Sequence, residues 1–209
     1  MKKYTALLGL LLGPAAHAAP LLTFGQVSSG DTVTATVNAS DTQTTVLASA
    51  VPVMVTSYAG GGAPFAATFN MDLTSSGPIQ SIGGILTQDF SGTASWMGAG
   101  MGYLSATFMD TLFAISGSSA LTISASQPPG TVAFTSSVLP ISDFTDPLAL
   151  SFSFADVTPP AMALGTTLEP FVATISGTSS VGGTPMPEPL TLGLFGMGAL
   201  GVYVAKRWL

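Results

Sequence analysis

No lysine, arginine, histidine or cysteine stands between positions 19 and 188, although all ten carboxylates of the chain lie in that span. A carboxylate there has no cation to pair with, and no disulfide can tie two segments together. The span must therefore be held by apolar packing and hydrogen bonds, with its Asp and Glu side chains solvated, bonded to backbone N–H groups or bound to a metal ion. Because 47 % of the whole chain is hydrophobic, we expect it to fold rather than to remain an acidic coil.

Apolar and polar residues alternate through this span, which indicates strands with one buried face. Glycine and proline clusters separate the alternating segments. Short strands at this spacing favour an all-β fold, an antiparallel β-sandwich or jelly roll, over a parallel sheet. Residues 103–115 are long enough for a helix, so a helix stays open there, although a strand is preferred. The predicted strands are 32–37, 51–55, 65–71, 79–86, 103–115, 120–125, 131–138, 148–154 and 171–175.

The first 18 residues have the three parts of a secretory signal peptide. Two lysines precede an apolar run at residues 6–12. The small residues Ala16 and Ala18 then give the small-x-small pattern before a cut ahead of Ala19. The pattern predicts export and removal of residues 1–18 by signal peptidase.

The other end of the chain predicts a membrane helix. Residues 190–205 carry no charge, and Lys206 and Arg207 follow them. A helix of that length spans roughly 24 Å, against about 30 Å for a hydrocarbon core, so Trp208 at the interface and snorkelling basic side chains are needed to complete a thin span. The positive-inside rule places the basic pair in the cytoplasm and the rest of the chain outside.

Three features near the C-terminus resemble the PEP-CTERM sorting segment. These are a Pro-Glu-Pro triplet, a short Gly- and Leu-rich apolar helix and a terminal basic pair, here Pro187, Glu188 and Pro189, residues 190–205, and Lys206 with Arg207. The resemblance implies recognition by an exosortase, a membrane-embedded cysteine transpeptidase or protease that cuts near the triplet. It also implies release or re-anchoring at the surface of a Gram-negative, exopolysaccharide-producing bacterium. Members often carry more arginine after the helix than this chain does.

Taken together, these features predict four parts of the chain. Residues 1–18 are a signal peptide and residues 19–176 an all-β extracellular domain. Residues 177–186 are expected to form a Gly/Ser/Thr stalk, and residues 187–209 the sorting segment.

The composition of the span 19–188 excludes several kinds of chemistry. Nucleophile–histidine–acid catalysis and Ser-Lys dyads lack their residues, as do the usual zinc, copper and haem sites. Nucleic acid is not expected as a partner, because no basic side chain is available to neutralise phosphate. We expect no catalytic residues, no enzymatic activity and no cofactor, with calcium left open.

Three carboxylates are the candidates for a calcium site. Asp143 and Asp146 are close in sequence, and Asp156 is a third oxygen donor nearby. The competing and preferred interpretation is a pair of Asx-type turns between Pro140 and Pro147.

Two aromatic residues, Trp96 and Tyr103, flank a glycine-rich stretch. They suggest either a platform for stacking on a sugar ring or, as is commoner, core aromatics at the ends of a connection. The sequence thus predicts a non-enzymatic surface or matrix protein, with exosortase, signal peptidase and exopolysaccharide as expected partners. The alternative is a calcium-assisted carbohydrate-binding or adhesion module.

Overall fold

The computed structural model describes residues 19–27, 33–127 and 130–182. The predicted signal peptide (1–18) and the sorting segment (187–209) lie outside the described residues. So do the processing residues Ala16, Ala18, Pro187, Glu188, Pro189, Lys206 and Arg207.

The described residues form strands joined by turns, and every strand pairing is antiparallel, which confirms the all-β prediction. The helical alternative for residues 103–115 is wrong. Within the described ranges, no helix is long and apolar enough to cross a membrane. The strands are β1 (Ala19–Gln26), β2 (Val33–Val37), β3 (Thr44–Tyr58), β4 (Phe65–Ser75), β5 (Gln80–Ile82), β6 (Ile85–Gly98), β7 (Met101–Ile115), β8 (Leu121–Ser126), β9 (Thr131–Thr135), β10 (Leu148–Thr158), β11 (Ala163–Leu164), β12 (Thr167–Leu168) and β13 (Phe171–Val181).

The main sheet closes on itself. Its strands follow the order β6-β4-β3-β1-β13-β10-β8-β7, and β7 pairs again with β6. Strand β2 continues the line of β1 between β13 and β3, and β9 continues the line of β8 along β7. Because the ring closes, each of its strands pairs with a neighbouring strand on both sides.

Aromatic side chains from different strands fill the interior. The Phe24 ring centre lies 5.0 Å from that of Phe69, 5.3 Å from that of Trp96 and 6.3 Å from that of Phe152. All four side chains are at most 3 % exposed. These rings link β1, β4, β6 and β10, so the core connects opposite sides of the closed sheet. The Trp96 Nε1–H has no hydrogen-bond partner among the described residues.

One predicted strand, residues 79–86, is a hairpin. Strands β5 and β6 pair through Ile82 and Ile85. Gly83 and Gly84 between them have φ angles of 61° and 83°. Two successive left-handed residues make the tight hairpin turn that glycine permits, so the chain reverses where the alternation alone suggested continuity.

The predicted stalk is wrong for residues 177–181, because β13 continues through Val181. Gly177 lies between Phe24 of β1 and Phe152 of β10. A Cβ atom at Gly177 would lie 2.6 Å from the Ser151 carbonyl oxygen and 2.9 Å from each of these two phenylalanine rings. The Gly- and Ser-rich composition here reflects close packing, and the folded domain extends through residue 182.

This packing predicts different effects for two glycines in one strand pair. Gly177→Ala should lower the free energy of unfolding by about 1–3 kcal/mol, because the methyl group overpacks the core. Gly25→Ala should cost much less, because no atom lies within 4 Å of the position that a Cβ atom would take there. Chemical denaturation of both variants measures the difference. Equal stability would contradict the close packing of Gly177 against the core.

Candidate functional site at the chain-exit end

The first and last described strands meet at one end of the sheet. Ala19 pairs with Val181, and Val181 pairs on its other side with Leu148. The Gly182 N–H donates to the carbonyl oxygens of Thr145 (3.2 Å) and Pro147 (3.1 Å). The predicted signal-peptidase position ahead of Ala19 and the last described residue, Gly182, therefore lie at the same end of the domain, which we call the chain-exit end.

A connection between β9 and β10, residues 136–147, lies across this end, and Ser136 fixes its start. The Ser136 hydroxyl donates to the Tyr103 carbonyl oxygen at 2.6 Å. It also accepts from the N–H groups of Val138 (3.0 Å) and Leu139 (2.9 Å). One side chain thus orders the turn that leads into the connection.

The connection is also held by packing and by a second serine. Leu139 is buried, and the Phe144 ring centre lies 6.2 Å from that of Phe134. The Ser137 hydroxyl donates to the Gly102 carbonyl oxygen at 2.9 Å and accepts from the Gly102 N–H at 3.0 Å. The connection is therefore attached to β7 at one end and, through Gly182, to β13 at the other.

Three aromatic rings pack together at this end of the sheet. The Phe65 ring centre lies 4.4 Å from that of Tyr103, and the Tyr58 ring centre lies 5.6 Å from that of Tyr103. The Tyr58 hydroxyl donates to the Tyr103 carbonyl oxygen at 3.1 Å. Burial raises the pKa of the Tyr58 phenol above its ordinary value, the hydrogen bond with Ser136 opposes that rise, and the Tyr103 charge adds to it.

The three candidate calcium ligands are not brought together. Asp143 and Asp146 are exposed at the chain-exit end, while Asp156 is exposed near the opposite end of β10. Asp146 and Asp156 are ten positions apart, and extended chain of that length spans about 30 Å. Within the described ranges, no three acidic, histidine or cysteine side chains are grouped as metal ligands would be. Around Asp143 the backbone forms a turn instead, with its N–H donating to the Pro140 carbonyl oxygen at 3.0 Å.

The Trp96 side chain is 0 % exposed. It cannot stack on a sugar at the surface, so the core interpretation of Trp96 is confirmed. Tyr103 is half-buried in the aromatic group of the chain-exit end.

A row of hydroxyl groups crosses the outer face of the sheet, and the sequence analysis missed it. The Thr178 hydroxyl lies 3.4 Å from that of Thr23, and the Ser124 hydroxyl lies 3.3 Å from that of Ser151. The Thr111 hydroxyl donates to Asp89 Oδ1 at 2.6 Å. Serine and threonine are scattered throughout the sequence, so only the strand register reveals the alignment. In order across the strands, this hydroxyl row is Ser57, Thr23, Thr178, Ser151, Ser124, Thr111 and Asp89.

A groove of about 330 Å³ lies beside the hydroxyl row. Ser153, Thr174 and Ser176 contribute to its lining. At its base, Gln26 Oε1 accepts a hydrogen bond from the Ile175 N–H at 3.2 Å, where a backbone partner would otherwise be needed. The groove and the hydroxyls of the row offer neutral donors and acceptors to a polar ligand, and Asp89 adds a carboxylate at one end of the row.

No protein-family model, curated protein or solved structure matches this chain.

Replacement of Ser136 should loosen the connection at the chain-exit end. Ser136→Ala leaves two N–H groups and part of the Tyr103 carbonyl without their partner, which should cost about 1–3 kcal/mol of unfolding free energy. Ser142→Ala, in the same connection, is the control, because the Ser142 hydroxyl is exposed and makes one contact of 3.5 Å with Asp143. Denaturant titration measures both. A Ser136→Ala variant as stable as Ser142→Ala would contradict the role given to Ser136.

The raised pKa of Tyr58 predicts a loss of stability at alkaline pH. As pH rises past about 10, the unfolded chain loses the phenolic proton before the folded protein does. The free energy of unfolding should therefore fall as the pH rises from the ordinary pKa of tyrosine to the raised one. At lower pH, Tyr58 should not make the stability depend on pH. Tyr58→Phe should reduce this fall, measured by denaturation at a series of pH values. An unchanged alkaline slope would contradict the prediction.

Proposed function

We propose that this chain is a non-enzymatic exported protein of the cell surface or extracellular matrix of a Gram-negative bacterium. Signal peptidase removes residues 1–18, and the apolar run at residues 190–205 holds the exported chain in the inner membrane. An exosortase-type enzyme then recognises the triplet Pro187, Glu188 and Pro189 with the basic pair Lys206 and Arg207. It cuts near the triplet, and the all-β domain remains at the surface or in the matrix.

The pairing of Ala19 with Val181 is the observation that best supports this proposal. A cut ahead of Ala19 leaves β1 whole. Pro187 is five positions after Gly182, a distance of at most about 18 Å when extended. Both cuts therefore fall beside the folded sheet, and neither one requires the sheet to open.

The non-enzymatic part of the proposal rests on chemistry. The span 19–188 offers hydroxyls, amides and carboxylates, and no histidine, cysteine, lysine or arginine. The described candidate carboxylates Asp143, Asp146 and Asp156 are exposed and divided between two ends of the sheet. A role based on display and contact fits these groups better than a reaction does.

The sorting step predicts a specific change in mass. In a host that contains an exosortase, the mature protein should have a mass matching residues 19 to about 188, because both end segments are removed. Replacement of Pro187, Glu188 and Pro189 by alanine should leave residues 19–209 intact in the membrane fraction. Intact-mass spectrometry of medium and envelope fractions measures both. Pro185→Ala, two residues ahead of the triplet, is the control and should be processed normally. A wild-type mass that still includes Leu209 would contradict the proposal.

The hydroxyl row and its groove favour a second candidate function, a carbohydrate-binding or adhesion module. Calcium assistance would need a ligand other than Asp156 beside Asp143 and Asp146, because Asp156 lies near the opposite end of β10. Calorimetry of the secreted, processed protein with a neutral glucan, with and without calcium, tests this candidate. Absence of heat under both conditions would count against it.

A further inference from the structure

The chain-exit end carries apolar side chains that no described element covers. Ile141 is 87 % exposed in the short 3-10 turn Ile141–Asp143. Met97 (47 %), Met101 (43 %) and Val138 (40 %) are exposed at the same end. Ile141 stands in the middle of the connection that is bonded to Gly102 at its start and to Gly182 at its close. Its position beside the exit of the chain is therefore fixed by the fold.

We propose that, while the chain is tethered, the chain-exit end rests on the lipid bilayer with Ile141 inserted into the bilayer interface. The proposal rests on the anchoring by residues 190–205 put forward above. Leu190 is eight positions after Gly182, so the exit point lies within about 29 Å of the start of the apolar run. The tether thus keeps this end of the domain close to the membrane.

The tether also explains how so small an apolar surface can keep the domain in contact with the bilayer. A few apolar side chains bind a bilayer weakly when the protein is free in solution. Once the protein is tethered, the same contact becomes intramolecular and is favoured by a high effective concentration. The contact should therefore be present in the anchored chain and lost after the sorting cut, which would free the domain from the membrane surface.

The charged side chains of the domain determine which kind of bilayer it can contact. Positions 19–205 carry no basic residue, so attraction to lipid headgroups cannot be electrostatic. Asp143 lies in the exposed turn and Asp146 follows it, and both would be repelled by anionic lipids. The occupant that fits is a zwitterionic bilayer surface, contacted through apolar side chains.

The opposite end of the domain supplies a matched control. Ile82 is 77 % exposed at the β5–β6 hairpin, with Ile85 and Ile115 beside it. Strand β7 runs from the chain-exit end to this hairpin, so the two isoleucines lie at opposite ends of the sheet. The second patch is at least as apolar as the first, yet the tether holds it away from the membrane.

Single-cysteine labelling tests the proposal directly, because the natural chain contains no cysteine. Ile141→Cys and Ile82→Cys are made in the full chain, labelled with an environment-sensitive fluorophore and reconstituted into phosphatidylcholine vesicles. Quenching by a lipid-borne nitroxide is then measured. We expect several-fold stronger quenching at position 141 than at position 82. Anionic lipid should weaken the quenching at 141, and Asp143→Asn with Asp146→Asn should restore it.

The outcomes separate the two proposals. Resistance of the unlabelled chain to alkaline extraction shows that residues 190–205 anchor it. Equal quenching at both positions in an anchored chain, or stronger quenching at position 82, overturns the bilayer contact and leaves the proposed function standing. Full extraction of the chain from the vesicles overturns the anchoring and the bilayer contact together.

Discussion

The pairing of β1 with β13 is the interaction on which the rest of the structure depends. Strand β1 joins β13 to β3, and without it only the short strand β2 would connect them. The same strand places Phe24 against Phe69 and Trp96 in the core. Strand β1 begins at Ala19, immediately after the predicted signal-peptidase site, so the predicted cut would leave β1 whole. The contact also brings both ends of the domain to one place, and from this follow the proposed processing and the proposed orientation at the membrane.

Positions 19–188 contain no basic side chain, so the interior must satisfy its polar groups without ion pairs. Where other proteins place an ion pair, this one uses small hydrogen-bonded networks. The Thr44 N–H donates to the Ser75 hydroxyl at 2.9 Å, and the Thr44 hydroxyl lies 3.4 Å from Gln88 Oε1 and accepts from the Leu168 N–H at 3.1 Å. Both Thr44 and Gln88 are buried, and such neutral groups are far cheaper to desolvate than unpaired charges. On the outside, hydroxyls take the place that charged side chains usually occupy, which produces the hydroxyl row.

The sequence predicted parts of several strands where large apolar residues alternate, as in β3 and β4, because burial of one face produces that pattern. It missed β1 and residues 87–98 of β6, although Phe24 and Trp96 are buried there. The prediction also failed where small residues are buried, as in the predicted stalk. Residues 177–181 resemble a linker in composition, yet Gly177 and Ser179 face the interior. At Gly177 the Ser151 carbonyl oxygen and two phenylalanine rings leave no room for a Cβ atom. The spacing of the candidate calcium ligands along the chain also does not give their spacing in the fold. Asp146 and Asp156 are close in sequence, but β10 between them is extended through Thr158, which separates them. The meeting of Ala19 with Val181 and the register that aligns the hydroxyl row are long-range facts, and no local pattern encodes them.

The most direct test of the account is whether β1 and β13 are paired in the stated register. Thr23 and Thr178 are partners on adjacent strands, and their hydroxyls lie 3.4 Å apart. In this cysteine-free chain, Thr23→Cys with Thr178→Cys should form an intramolecular disulfide on mild oxidation, detected by intact mass as the loss of two hydrogens. Thr23→Cys with Thr174→Cys places the second cysteine on the same face of β13 but about 13 Å further along the strand, and it should remain reduced. A disulfide in the second pair and none in the first would contradict the closed sheet and the shared chain-exit end.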